Sequence, residues 1–429
     1  MLYPYFPFSL GRQAHEQFLI SSPYGEHIVN RDAAAILQMC NGSRSLDDIA
    51  ARLQARYDFS NASFVAKAET FIDSLSLKGL VWIKEKPMRW FNPPPPQTIF
   101  WEVTSRCNLQ CLHCVVSAGE NTADDLSTER CLQLIDDWAA FGVQDIAFSG
   151  GEPLLREDLF QLALAAKQKN LSISLASNGT LITRDVARQC KALDMDVQIS
   201  LDGSTADIYG RVRGRKEAFD DVMEGIRNTL SEGVNLTIGT VLTKNNVDDI
   251  PELLKLVQRM NIPYFRLIPF IPSGRGQHNR DLELDPLQVK KISEDLAAQR
   301  KMWAFTILPL EFELTFSAPS GEQPDMTRPS ECGGAVHYCT VTPTGEVLPC
   351  HYFEGVVTDS VRNRSFSDIW RNSRFLNYFR SIEVGDIKGY CHECEWLSTC
   401  RGGCKAANFS HRDLFQSNAH CWVVRENQR

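Results

Sequence analysis

The chain of 429 residues has no stretch of about 18 uncharged apolar residues, which excludes a conventional membrane-spanning helix. It has no surplus of basic charge either. Its 45 Lys and Arg stand against 53 Asp and Glu, a net charge of −8, so a general basic surface for nucleic acid is not expected. No basic region followed by an apolar run opens the sequence, so no secretory signal is expected. There is no internal repeat, and the one low-complexity stretch is Pro93 to Pro96. What is present is an ordinary globular composition, 43% hydrophobic and 23% charged, long enough for two or three domains. Fourteen cysteines remain to be explained. In a large chain without a secretory signal they point to metal ligation or redox chemistry in a reducing cytoplasm rather than to disulfides.

The proline run cannot continue a helix or a sheet ladder and favours a stiff, extended connector. It divides the sequence into residues 1–90, a linker over 91–97, and the remainder. In the first segment, Phe18–Ile20 and His27–Val29 read as strands around a turn. Ser45 followed by Asp48 reads as a helix start, with Leu46, Ile49, Ala50 and Leu53 as one apolar face. A further helix carries Phe64, Ala68, Phe71, Ile72 and Leu75, stops at Gly79, and leads to the strand Leu80–Ile83. Together these predict a small winged-helix-like domain. Ten basic and nine acidic residues in 1–90 leave no clustered basic face for DNA. The pattern HIVNRDAAAILQMCNGSRSLDDIAARL…FIDSLSLKGLVWI resembles instead the peptide-chaperone family of pyrroloquinoline quinone biosynthesis. That resemblance implies recognition of the leader of a ribosomally made precursor peptide, which can proceed by adding the peptide as a strand to a sheet edge. A structural cap without a ligand is the plainer alternative.

Beyond the linker, strands near 99–103, 145–149, 172–176, 196–200, 236–242 and 264–268 alternate with helical stretches. This predicts an α/β fold, a curved partial (β/α)6 barrel with ligand loops at the strand C-termini. Just past the first strand, Cys107, Cys111 and Cys114 place three thiols within eight residues. Three thiolates can take three corners of an iron–sulfur cube and leave one iron open, since such clusters normally use four cysteines. Zinc would want a fourth ligand, and His113 is adjacent to Cys114, a poor spacing for aiming both at one metal.

This spacing resembles the signature of the radical S-adenosylmethionine (SAM) enzymes. The match extends to Gly150, Gly151 and Glu152, which end the second strand, and to Ser177, Ser200 and Arg213 further on. The resemblance implies that these residues contact SAM, although Glu152, Ser177, Ser200 and Arg213 can equally serve loop structure. Downstream, Cys332, Gly345 and Cys350, then Cys391, Cys394, Cys400, Cys404 and Cys421, resemble the SPASM extension that binds auxiliary iron–sulfur clusters. Seen alone, Cys391 to Cys404 would suggest a zinc ribbon. The resemblance implies an inner cluster on Cys332, Cys350 and Cys404, and an outer one on Cys391, Cys394, Cys400 and Cys421. A hairpin turning at Pro343–Gly345 brings Cys339 near Cys350 and makes it a candidate eighth ligand; without it the inner cluster has an open iron. Cys40, Cys131 and Cys190 sit in helical patterns and read as small buried hydrophobes.

The expected organisation is therefore a recognition domain over 1–90, the linker 91–97, a radical SAM barrel over 98–310 and a SPASM domain over 311–429. The resemblance implies SAM, one radical [4Fe–4S] cluster, two auxiliary clusters and an electron donor such as flavodoxin or ferredoxin. The implied activity is oxidative modification, with crosslinking the expected form, of a precursor peptide through a 5′-deoxyadenosyl radical. A cofactor precursor or a protein are alternative substrates, since porphyrin-modifying and sulfatase-activating relatives carry similar clusters. A non-catalytic iron–sulfur carrier or scaffold is the reading from another class. No catalytic acid or base stands out.

Overall fold

The computed structural model describes residues 1–13, 17–54, 61–119, 124–308, 323–330 and 332–427. The first segment opens with strands β1 (Tyr3–Tyr5), β2 (Ser9–Arg12), β3 (Phe18–Ser22) and β4 (Gly25–Val29). Helices α1 (Arg31–Met39), α2 (Leu46–Gln54) and α3 (Asn61–Ser76) follow, then β5 (Trp82–Lys84). Strands β2, β3 and β4 form an antiparallel sheet with β4 at one edge, and β5 pairs with β1. Ser45 and Asp48 cap α2 reciprocally, each side chain accepting from the other's backbone N–H at 3.1 Å. Leu46, Ile49, Ala50 and Leu53 are buried as the helical spacing predicts. The Phe64 side chain lies outside the described residues.

The barrel strands are β6 (Thr98–Glu102), β7 (Asp145–Ser149), β8 (Ser172–Ser177), β9 (Asp196–Ser200), β10 (Leu236–Leu242) and β11 (Tyr264–Pro269). All six are parallel neighbours in sequence order. The sheet continues further than the six strands expected. A short strand β12 (Thr306–Leu308) adds beside β11, and the hairpin β13 (Tyr338–Val341) and β14 (Val347–Leu348) adds beside β6. Part of the cysteine-rich C-terminal region is thus hydrogen-bonded into the barrel sheet.

Side-chain parity on β6 and β13 fixes what faces where. Trp101 is fully buried and meets Trp138 of helix α4 (Thr128–Phe141) edge-to-face at 4.8 Å, so Ile99 and Trp101 face the helical layer. Phe100 and Glu102 face the opposite, lumenal side. In the parallel register Cys339 lies beside Ile99 and Val341 beside Trp101, which puts Cys339 on the helical face. Thr340 lies opposite Leu348, where β14 ends, two residues before Cys350. Cys339 is fully buried, and its charged neighbour is Arg380 rather than another cysteine.

The proline connector is not a free spacer. The Trp370 indole donates to the Pro94 carbonyl at 2.7 Å, and the Phe91 N–H donates to Asn377 at 2.9 Å. Residues 1–90 dock on the C-terminal helices α11 (Phe366–Asn372) and α12 (Arg374–Arg380) and their surroundings. Tyr5 stacks on Tyr378 at 4.3 Å and on Trp82 at 5.8 Å. Lys84, itself buried, pairs with Asp386 at 2.8 Å. Aromatic contacts of this kind contribute about 0.5–1.5 kcal/mol each beyond the area they bury. Among the described residues, no helix is long and apolar enough to cross a membrane.

Candidate active site

The loop after β6 is locked to the loop after β7 by backbone bonds: Gly151 N–H donates to the Thr104 carbonyl and Glu152 N–H to the Arg106 carbonyl, both at 2.8 Å. Gly151 has no room for a side chain, since an added Cβ would lie 2.1 Å from the Arg106 oxygen. Gly151→Ala is expected to spread the two loops and lower the thermal midpoint, read by calorimetry.

Glu152 is fully buried and accepts from Ser177 Oγ at 2.9 Å, Asn178 N at 2.7 Å and Leu154 N at 3.2 Å. Burial pushes its carboxyl up to about 6, with the Asn178 and Ser177 bonds pulling the other way. Both Glu152 and Ser177 therefore organise the loops after β7 and β8. Ser200 ends β9, half-buried, on the same rim of the barrel.

Arg213 closes helix α7 (Ala206–Arg213), buried, with Nε 2.5 Å from Asp202 Oδ2 and Nη1 3.6 Å from Cys111 Sγ. Asp202 is fully buried and also accepts from Val241 N at 2.7 Å. His113 turns toward the same carboxylate, 3.5 Å away. Burial lowers its imidazole to about 4, so it is neutral at physiological pH. Arg275, in the turn after β11, donates to the Cys111 carbonyl at 2.9 Å and to the Ala118 carbonyl at 2.6 Å.

These contacts hold Cys107, Cys111 and Cys114 close enough that each of the first two thiols feels Cys114 electrostatically. Burial pushes the Cys111 thiol up to about 11 even with Arg213 beside it. Three converging thiols with one guanidinium are short of positive charge. The donor set fits a thiophilic metal group whose charge would deprotonate them.

Cys391, Cys394, Cys400 and Cys421 line one apolar concavity with Trp396, Leu397 and Val423. Cys332 lies apart from them, its sulfur accepting backbone N–H bonds from Gly334 and from Lys405, the residue after Cys404. Gly334 in turn lies against the Pro349 backbone, next to Cys350. All fourteen cysteines are free thiols. Cys391, Cys394, Cys400 and Cys421 thus form one group of soft donors in apolar surroundings.

A cavity of about 390 Å³ opens between the barrel mouth and the β13–β14 hairpin. Glu102, Thr104 and Gly150 line it from the barrel, and Glu346, His351 and Glu354 from the C-terminal side. Burial, then the nearby Glu354 and Glu346, raises the Glu102 carboxyl to about 8. His351 is held near 4 by burial. Sequence reasoning passed over Glu102. The signal was a lone charge on the inward parity of the apolar strand IFWEV, five residues before the first cysteine of the motif.

A barrel of this topology, with a three-cysteine loop after its first strand and a glycine-rich loop after its second, defines an iron–sulfur enzyme that acts through SAM. The chain belongs to the radical SAM superfamily, whose family model matches residues 101–257. The SPASM iron–sulfur cluster-binding domain matches residues 332–395, and the coenzyme PQQ synthesis protein D family matches residues 23–81. Among curated relatives, the chain is 31% identical to the AdoMet-dependent heme synthase of Nitratidesulfovibrio vulgaris, over 74% of this chain and 89% of the relative. It is also 31% identical to the mycofactocin maturase MftC of Mycobacterium tuberculosis, over 73% of this chain and 79% of the relative. The fold is similar to that of Streptococcus suis SuiB bound to precursor peptide SuiA: TM-score 0.63, 15% identity, 97% of this chain and all of that one covered.

Proposed function

We propose that this enzyme is a maturase that oxidatively modifies, by crosslinking, a ribosomally synthesised precursor peptide. The observation that carries the reading is the combination of an exposed sheet edge at β4, within the residues that match the coenzyme PQQ synthesis protein D family, with a cavity that is lined by both the barrel mouth and the cysteine-rich hairpin. In this reading residues 1–90 recognise the leader, 91–97 connect, 98–310 form the radical barrel and 311–429 carry the auxiliary clusters. Cys107, Cys111 and Cys114 would hold the radical cluster, and the loop of Gly150, Gly151 and Glu152, with Ser177, Ser200 and Arg213, would form the SAM side of the mouth. Cys332, Cys350 and Cys404 would hold an inner auxiliary cluster, and Cys391, Cys394, Cys400 and Cys421 an outer one. When bound, the radical cluster and SAM supply a 5′-deoxyadenosyl radical that removes one hydrogen atom from the substrate. Glu102, facing the cavity, would accept the proton that must leave with the second hydrogen, and the auxiliary clusters would receive the remaining electron. Flavodoxin or ferredoxin would deliver the priming electron.

The test is the intact mass of a candidate precursor co-expressed anaerobically with the enzyme. Loss of hydrogens in pairs supports crosslinking; an unchanged mass alongside ongoing deoxyadenosine formation rejects it for that peptide. The relatives named as heme synthases favour a second reading, a tetrapyrrole substrate. Leader binding separates the two. Ile28 on β4 is 65% exposed, so Ile28→Asp leaves the core intact. It is expected to weaken precursor binding at least tenfold in fluorescence anisotropy, with an unchanged unfolding midpoint. Equal binding by the variant would count against strand addition at this edge.

A further inference from the structure

Lys405 opens helix α14 (Lys405–Ser410) directly after Cys404 and is 1% exposed. Its Nζ is buried without a hydrogen-bond partner among the described residues. The other buried lysine of this region behaves differently: Lys84 pairs with Asp386 and donates to the Ser381 carbonyl. Around Lys405 the ionisable neighbours are the thiols of Cys332, Cys400, Cys404 and Cys391. The ammonium is pressed against the Gly402 backbone, where an added Cβ would lie 3.0 Å from Nζ and 2.9 Å from Ile387. An ammonium taken out of water without a counter-charge is strongly unfavourable and burial lowers the Lys405 pKa, so negative charge on the sulfur groups around it is what would hold it protonated.

Two of those cysteines belong to the proposed inner group and two to the outer. We propose that Lys405 is a positioning residue set between the two auxiliary clusters, donating N–H to their sulfurs and stabilising the reduced state of both. The inference rests on the assignment of those seven cysteines to two clusters. Thiolate-ligated clusters are anionic and reduction adds a further negative charge, so a fixed donor at their sulfurs raises the reduction potential. The consequence is functional: the clusters become better acceptors of the electron left on the oxidised substrate.

The experiment is a redox titration of the auxiliary clusters by electron paramagnetic resonance, in full-length, anaerobically reconstituted protein with iron counted beforehand. At a fixed solution potential, K405M is expected to lower the reduced-to-oxidised ratio of the auxiliary signals at least tenfold, equivalent to about 59 mV for one electron. K405R, which keeps charge and donors, is expected to restore most of the shift. Should K405M lose iron, K405Q supplies the uncharged comparison under the same threshold. Unchanged midpoints at full iron content would overturn the role of Lys405 and leave the cluster assignment standing. No auxiliary signal in the unsubstituted protein would overturn both.

Discussion

Cys111→Ala is expected to abolish 5′-deoxyadenosine formation and to remove one cluster, about four irons per chain, from the reconstituted enzyme. Cys111 is held at both ends: its sulfur meets Arg213 at 3.6 Å and its carbonyl receives Arg275 at 2.9 Å. Alanine keeps the carbonyl contact and removes only the sulfur, so the loop has no reason to unfold. An unchanged thermal midpoint would accompany the lost activity. The contrasting variant is Cys394→Ala, in the other cysteine group, which is expected to keep deoxyadenosine formation while losing product. Deoxyadenosine made at the normal rate by Cys111→Ala would remove the basis for calling this loop the radical site.

Glu102→Gln carries the second large effect. General acid–base catalysis contributes about 10²- to 10⁴-fold, and a fall of that size is expected in the rate of mature product, not in deoxyadenosine formation without peptide. The sign of the pH dependence follows from the raised carboxyl. With Glu102 held near 8 by burial and by Glu354 and Glu346, the base form is the minor species at pH 7. Product formation is then expected to rise with pH through about 8 and level off above it, and the glutamine variant to lose that rise. His351, which lines the same cavity, is already neutral over this range and adds no step of its own. A pH profile identical in the two proteins would exclude Glu102 as the proton acceptor.

The parts of this molecule legible in its sequence are those encoded at short range. The cysteine spacing in Cys107–Cys114 is local, and so is the alternation of apolar strands with amphipathic helices that gives the parallel barrel. The Ser45–Asp48 cap was equally readable from four consecutive positions. What escaped depends on register or on distant partners. The facing of Cys339 toward the helical layer is set by the pairing of β13 with β6, which joins residues 240 positions apart. Asp202 gains its role from partners, Arg213 and the Val241 N–H, that arrive from other elements. Glu102 acquires its meaning from carboxylates more than two hundred residues away. Strand β12 is only three residues long, too short for periodicity to announce.

The docking of residues 1–90 bears on how such an enzyme can be re-targeted. Exchanging that segment for a homologue by splicing at the prolines would part Tyr5 and Trp82 from Tyr378, and Lys84 from Asp386. A chimera built that way would show raw aromatic surface on both halves and leave Asp386 without its cation. A workable graft needs a donor whose β1 and β5 match this C-terminal face, or must transplant the α12 face along with the module. If residues 1–90 recognise the leader as proposed, substrate choice is inherited together with a seam, and the unit of exchange is larger than the unit of recognition.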